Sequence, residues 1–312
     1  MEKKGINRMF LSIIMIHIIV IVILMMTPAA ANMGIFTNLL LSESMIMVPG
    51  FVFLLVYTFK KENFCERMHF KKIKISTVFM LILFTFMIMP LTTLLNAVSM
   101  LFVDNTVLSM STQVLSKPFL LMLFMMAVFG PFCEEFVFRG IVYGGYRKEG
   151  SIFAAVIVSG LLFGLMHMNF NQAGYAFVIG IVFALLVEAT GSIFSSILCH
   201  FIFNAQSVCL MYLMNHFMPG IYDAQSSLSG YTKDELYITI SVYLVFATIT
   251  TAVALCILAW IAKNEGRTEY LKRALPSRER KGSNLCSISL VIGIVVVIAY
   301  MIFEVILTKY LS

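Results

Sequence analysis

The sequence predicts an all-α, polytopic membrane bundle of about eight or nine transmembrane helices. Three observations lead there. Of 312 residues, 60% are hydrophobic and 12% charged, against roughly 45 to 50% apolar in a soluble domain. The apolar residues fall into runs close to the ~20 that a helix needs to cross a bilayer. Finally, with the N-terminus placed inside, eighteen of the 22 Lys and Arg fall in loops on one side, the bias that orients membrane helices.

Taken in order, the runs are 9–28, 38–59, 77–103, 118–145, 152–168, 173–188, 193–214, 236–262 and 285–307. Run 9–28 begins after Lys3, Lys4 and Arg8 and precedes Ala29, Ala30 and Ala31, where a signal peptidase would find small residues. Its length exceeds the roughly 7 to 15 residues of a signal h-region, so segment 1–28 is read as a retained anchor, with a cleaved signal sequence as the alternative. Lys60, Lys61, Arg67, Lys71, Lys72 and Lys74 follow the second run, Arg147 and Lys148 the fourth, and loop 263–281 the eighth. Polar connections long enough to divide the chain are few, so 1–312 reads as one integral membrane domain. The expected location is the plasma membrane, multi-pass, with a cytoplasmic N-terminus. Six cysteines without a CxxC pair read as reduced structural thiols. The net charge of +6 is a topology signal; its basic residues are split among loops without interleaved stacking aromatics, which argues against nucleic acid.

The fourth run contains residues that do not belong in lipid: Gly130, Pro131, Phe132, Cys133, Glu134, Glu135, Phe136, Val137, Phe138, Arg139. A carboxylate at bilayer depth costs roughly 2.5 to 3.5 kcal/mol on insertion scales. Glu135 and Arg139, four residues apart, share a helix face and can pair. Glu134 is rotated about 100° away, toward a space that a kink at Gly130 and Pro131 would open. As straight helix, 117–147 would span about 45 Å, so a bend or an extension beyond the hydrocarbon is expected. Further polar residues follow: His167 closes the fifth run with Phe163 one turn before it, and His200 and Asn204 share a face of the seventh. Thr190, Gly191 and Ser192 form the turn between the sixth and seventh.

A glutamate, two histidines and an asparagine on neighbouring helices are the parts of a hydrolytic centre in an intramembrane catalytic cavity. Peptide hydrolysis needs a base for water, a proton donor for the leaving amine, and donors where charge develops on the carbonyl oxygen. Glu134 with His167 can activate water; His200 and Asn204 can donate to the oxyanion. Alternatively Glu134, His167 and His200 make a three-ligand zinc set with one open position. No cofactor is favoured, because the metal-free arrangement gives Asn204 a task. One geometric condition applies: His167 ends its run on the far side, so the turn at 168–172 must be sunk within protein.

The patterns Glu134-Glu135-x-x-x-Arg139, Phe163-x-x-x-His167 and His200-x-x-x-Asn204 resemble, in order and intact, the motifs of the CAAX protease and bacteriocin-processing (Abi) family of membrane endopeptidases. The resemblance covers about 118–214, the expected protease core. It implies cleavage of a membrane-associated peptide or protein at the lipid bilayer, with Glu134 and His167 activating water, His200 and Asn204 forming the oxyanion hole, and Glu135, Arg139 and Phe163 in support. It admits both glutamate-type and zinc-dependent hydrolysis, and substrates from prenylated proteins to bacteriocin precursors. Two other classes stay open at this stage: a secondary transporter or proton relay built on the same buried charges, and a non-catalytic membrane immunity or partner protein. His17, Glu43 and Asn96 find no partner in the sequence and read as packing or interfacial residues; Glu188 reads as reaching the interface.

Overall fold

The computed structural model describes residues 2–27, 33–57, 64–149, 151–222, 232–276 and 284–311. Among the described residues nine long helices carry the fold: α1 (Glu2–Met25), α2 (Ile35–Tyr57), α3 (Ile75–Ser99), α4 (Phe119–Glu149), α5 (Ile152–Met166), α6 (Phe170–Thr190), α7 (Ile193–Phe217), α8 (Lys233–Asn264) and α9 (Ile288–Leu311). Short helical turns at Phe64–Arg67, Thr106–Ser109, Ser111–Leu115 and Thr268–Arg273 join them. Among the described residues there is no strand. All but α5 are long and apolar enough to cross a membrane, and the chain is an integral, multi-pass membrane protein. The Ala29–Ala31 segment, Lys60, Lys61 and residues 277–283 lie outside the described residues.

α4 is irregular around Pro131. The helix continues past it, with two π-helical stretches, Phe124–Phe129 and Phe136–Tyr143, on either side of an α segment, Gly130–Glu135. Proline lacks the N–H that would continue the ladder, and a π stretch absorbs such a defect without breaking the rod. Gly130 N–H bonds back to Met125 O, five residues earlier. Behind α4, α2 runs parallel to it: a Cβ on Gly50 would meet the Val137 side chain at 2.8 Å, and one on Gly130 would meet Glu43 Oε1 at 3.1 Å.

α5 and α6 form a tight hairpin. A Cβ on Gly180 would lie 2.7 Å from Gly160 Cα, and one on Gly164 would lie 2.6 Å from Ala173 O; small residues here let two backbones touch. The turn between the helices is partly buried. Met168 and Asn171 are buried. Asn169 caps α6 by accepting from Gln172 N (2.8 Å) and donates to His167 O (2.8 Å). Asn171 donates to Asn96 Oδ1 and Ser99 Oγ, both at 2.9 Å, and accepts from Thr106 N. Asn96 thus has a partner that the sequence did not reveal.

At the opposite end of α6, Glu188 corrects the expectation of an interfacial side chain: it is fully buried. Arg147 pairs with it, Tyr143 Oη donates to it at 2.5 Å, and Arg267 Nη2 lies 3.8 Å away. Neutralising donors from α4 and from the turn after α8 make burial tolerable. Gly191 then reverses the chain at φ 73°, and Ser192 caps α7, accepting from Phe194 N.

Candidate active site

Three helices bring the motif residues together. On α4, Glu135 and Arg139 are both buried, with Oε2 to Nε at 3.1 Å. The expected clamp is present, and it has a second duty: Glu135 Oε1 lies 3.0 Å from His200 Nδ1. His200 is therefore held from behind by a carboxylate that is itself held by a guanidinium. Its other ring nitrogen, Nε2, is 3.8 Å from Glu134 Oε2, and that oxygen has no hydrogen-bond partner among the described residues. Glu134 is 17% exposed at its side chain while Glu135 is sealed. The two adjacent glutamates divide as their 100° separation predicts.

Aromatic rings fix the imidazoles and the cation. The Arg139 guanidinium sits 4.1 Å from the Phe163 ring centroid and 5.1 Å from Phe183, a placement that stabilises a desolvated cation. Phe163 meets His167 and His200 edge-on, with centroids 5.2 and 5.9 Å apart. His167 caps α5, its Nδ1 3.0 Å from Phe163 O. Phe163 is therefore the link between His167 and the rest. No hydrogen bond or ion pair joins His167 directly to Glu134 or His200 among the described residues.

Asn204, one turn beyond His200 on α7, also faces α4, and its Nδ2 donates to Met126 O at 2.8 Å. One of its two amide hydrogens is committed to the backbone. Near Glu134 the structure adds a residue for which the sequence named no partner: Glu43 on α2 is 8% exposed, its Oε1 lies against Gly130, one turn before Glu134, and its Oε2 has no partner among the described residues. His17, by contrast, turns its Nδ1 to Ile13 O on its own helix.

The zinc alternative requires Glu134, His167 and His200 to converge. Among the described residues no group of three or more His, Cys, Asp or Glu side chains is arranged to hold a metal ion; His200 directs Nδ1 to Glu135 and leaves Nε2 toward Glu134. No step is derived through a metal. A cavity of about 420 Å³ opens elsewhere, lined by Ser99, Phe102, Val103, Phe170, Ile302, Val305 and Ile306, with none of the motif residues on its wall.

Residues 116–206 match the family model described as "Type II CAAX prenyl endopeptidase Rce1-like". A protein of Bacillus subtilis (strain 168) named "Putative membrane peptidase YdiL" is 30% identical over 84 residues, which cover 27% of this chain and 34% of that protein. The chain thus matches about a third of the length of this curated relative. No solved structure matches. The family model covers every residue of the three motifs.

Proposed function

We propose that this protein is an intramembrane endopeptidase that hydrolyses a peptide bond in a membrane-associated peptide or protein, without a metal. The observation that carries the reading is the Glu134 carboxylate. It is the one glutamate of the pair that is partly open, 17% exposed against 0% for Glu135, and its Oε2 lies 3.8 Å from a histidine whose far side is anchored by Glu135 and Arg139. Glu134 accepts a proton from water as the water oxygen bonds to the carbonyl carbon. Negative charge on the carbonyl oxygen is met by N–H donors of His200 and Asn204, fixed in place beforehand by Glu135 and Met126 O; such preorganisation supplies most of the stabilisation in a low-dielectric site. The C–N bond breaks as the proton taken by Glu134 passes to the amine, with His167 orienting the water from beyond Phe163. For His200 to donate at Nε2, Nδ1–H donates to Glu135, and the two glutamates balance Arg139 and the imidazolium in charge. The N-terminus is assigned to the cytoplasm and the protein to the plasma membrane, with substrate entering from the side of the basic loops.

The test is cleavage by the purified protein in detergent. Quenched fluorogenic peptides are presented with a C-terminal farnesylated cysteine, and the same peptides on a transmembrane anchor. The wild type cleaves at least one series, Glu134→Gln abolishes cleavage while keeping the melting temperature, and a chelator leaves the rate unchanged. Cleavage surviving in Glu134→Gln sinks the proposal; loss on chelation restored by zinc replaces its mechanism with the metal-dependent one.

A further inference from the structure

We infer that Glu43 on α2 belongs to the same reaction centre, where its free carboxyl oxygen accepts a hydrogen bond from the substrate backbone and sets the register of the peptide beside Glu134. The inference rests on the protease reading above and adds a substrate-positioning residue outside the three motifs.

Three carboxyl groups sit deep in the bundle near α4 or its end. Glu135 is met by Arg139 and His200, and Glu188 by Tyr143, Arg147 and Arg267. Glu43, 8% exposed, has an oxygen with no donor among the described residues. A buried polar atom without a partner is costly and marks a place where something else supplies the bond. Its position narrows what that is. Oε1 would lie 3.1 Å from a Cβ on Gly130, and the carboxyl carbon 3.6 Å from it, so the carboxyl occupies the space that a side chain at 130 would fill. Gly130 and Glu134 both fall in the α-helical segment Gly130–Glu135 and, four residues apart, share a face about 5 to 6 Å apart.

Along that face three turns carry three groups. Asn204 bonds at Met126, Glu43 lies at Gly130, and Glu134 follows with His200 beside it. An extended peptide advances about 3.3 Å per residue, so two residues cover roughly the distance from Glu134 to Glu43. A peptide whose scissile carbonyl is at Glu134 and which lies along α4 brings a backbone N–H within two residues of that bond to the free oxygen of Glu43. A backbone N–H is the donor every peptide substrate has, whatever its side chains.

The test uses the quenched peptide that the wild type cleaves, together with depsipeptides in which an ester oxygen replaces one backbone N–H at each of the two positions on either side of the scissile bond. Glu43→Ala is expected to lower kcat/KM at least about tenfold, the value of one buried hydrogen bond, whereas Glu43→Gln, which keeps an acceptor oxygen, stays within a few-fold of wild type. One depsipeptide costs the wild type about tenfold and costs Glu43→Ala nothing further. If the alanine variant does not fold, Glu43→Met takes its place, filling similar volume without a side-chain oxygen. A depsipeptide penalty that is the same in wild type and variant, or a variant that loses only melting temperature, overturns the assignment of Glu43. Failure of the wild type to cleave any peptide overturns the protease reading itself.

Discussion

Asn204 donates to the carbonyl oxygen of Met126, the carbonyl that Pro131 leaves without a partner. In the π register, where Gly130 N–H reaches Met125 O, the next bond would run from residue 131 to Met126, and proline has no hydrogen to give. The asparagine of the third motif thus completes the backbone of the helix that carries the first. Asn204→Ala is expected to lower stability by about 1 to 3 kcal/mol through the orphaned carbonyl, and to reduce kcat by about 10² to 10³ through the lost oxyanion donor. Melting temperature in detergent and kcat per folded protein separate the two effects; a loss of stability with kcat intact would remove Asn204 from the oxyanion hole.

The adjacent glutamates are expected to respond oppositely to the same substitution. Glu135→Gln leaves the fully buried Arg139 without its counter-charge and His200 without its anchor, which costs about 3 to 5 kcal/mol in comparable buried pairs. Glu134→Gln gives up only a 3.8 Å approach to His200 Nε2 at a partly exposed side chain, so it is expected to melt close to the wild type and to be inactive. Thermal unfolding of the two variants side by side is the measurement, and a Glu135→Gln variant as stable as Glu134→Gln would contradict the clamp.

Gly164→Ala places a Cβ 2.6 Å from Ala173 O and 2.9 Å from Phe177 N, both backbone atoms that cannot step aside. The hairpin of α5 and α6 must open, at a cost of about 1 to 3 kcal/mol for overpacking, and His167 at its apex moves with it. Activity is expected to fall further than that of Gly174→Ala, where a Cβ meets nothing within 4 Å.

His69, in the connection before α3, titrates out of the ordinary range: burial, and then the nearby Arg147 guanidinium, push its imidazole down to about 4, from an ordinary value near 6.5. Lys71 and Arg267 act in the same direction and Glu188 against it. The folded protein keeps the ring neutral while the unfolded chain takes up a proton, so the contribution is fully present above pH ~6.5 and is lost as the pH falls toward ~4, up to about 3 kcal/mol. His69 has φ 55°, which asparagine tolerates. His69→Asn is therefore expected to flatten the fall in melting temperature between pH 6.5 and 4 relative to wild type; parallel curves would refute the assignment.

The hydropathy runs and loop charges made the bundle legible, because crossing a bilayer demands length and apolarity in sequence order. The pairing of Glu135 with Arg139 was legible for a similar reason: it is a contact within one helix. Contacts between helices were not. The bond from Glu135 to His200 spans 65 positions, and Asn171 reaches Asn96 across 75; nothing local encodes either. Glu43 stood out as a carboxylate in lipid, but its significance lies in Gly130, whose missing side chain makes room for it. Glu188 is buried because its neutralising arginines arrive from two other elements, which no local pattern announces. The four-residue spacing of Gly160 and Gly164 is a local sign of close helix packing.

The two π stretches of α4 set the phase of the helix. A π turn holds more residues than an α turn, and Glu134 lies after the first stretch and before the second. Were residues 124–129 wound as α-helix instead, everything downstream would turn by about 100° relative to everything upstream. Cys133 would swing toward the place Glu134 now holds, and Arg139 away from Phe163. In this chain the winding of a featureless run, Phe124 to Phe129, is what aims the glutamate.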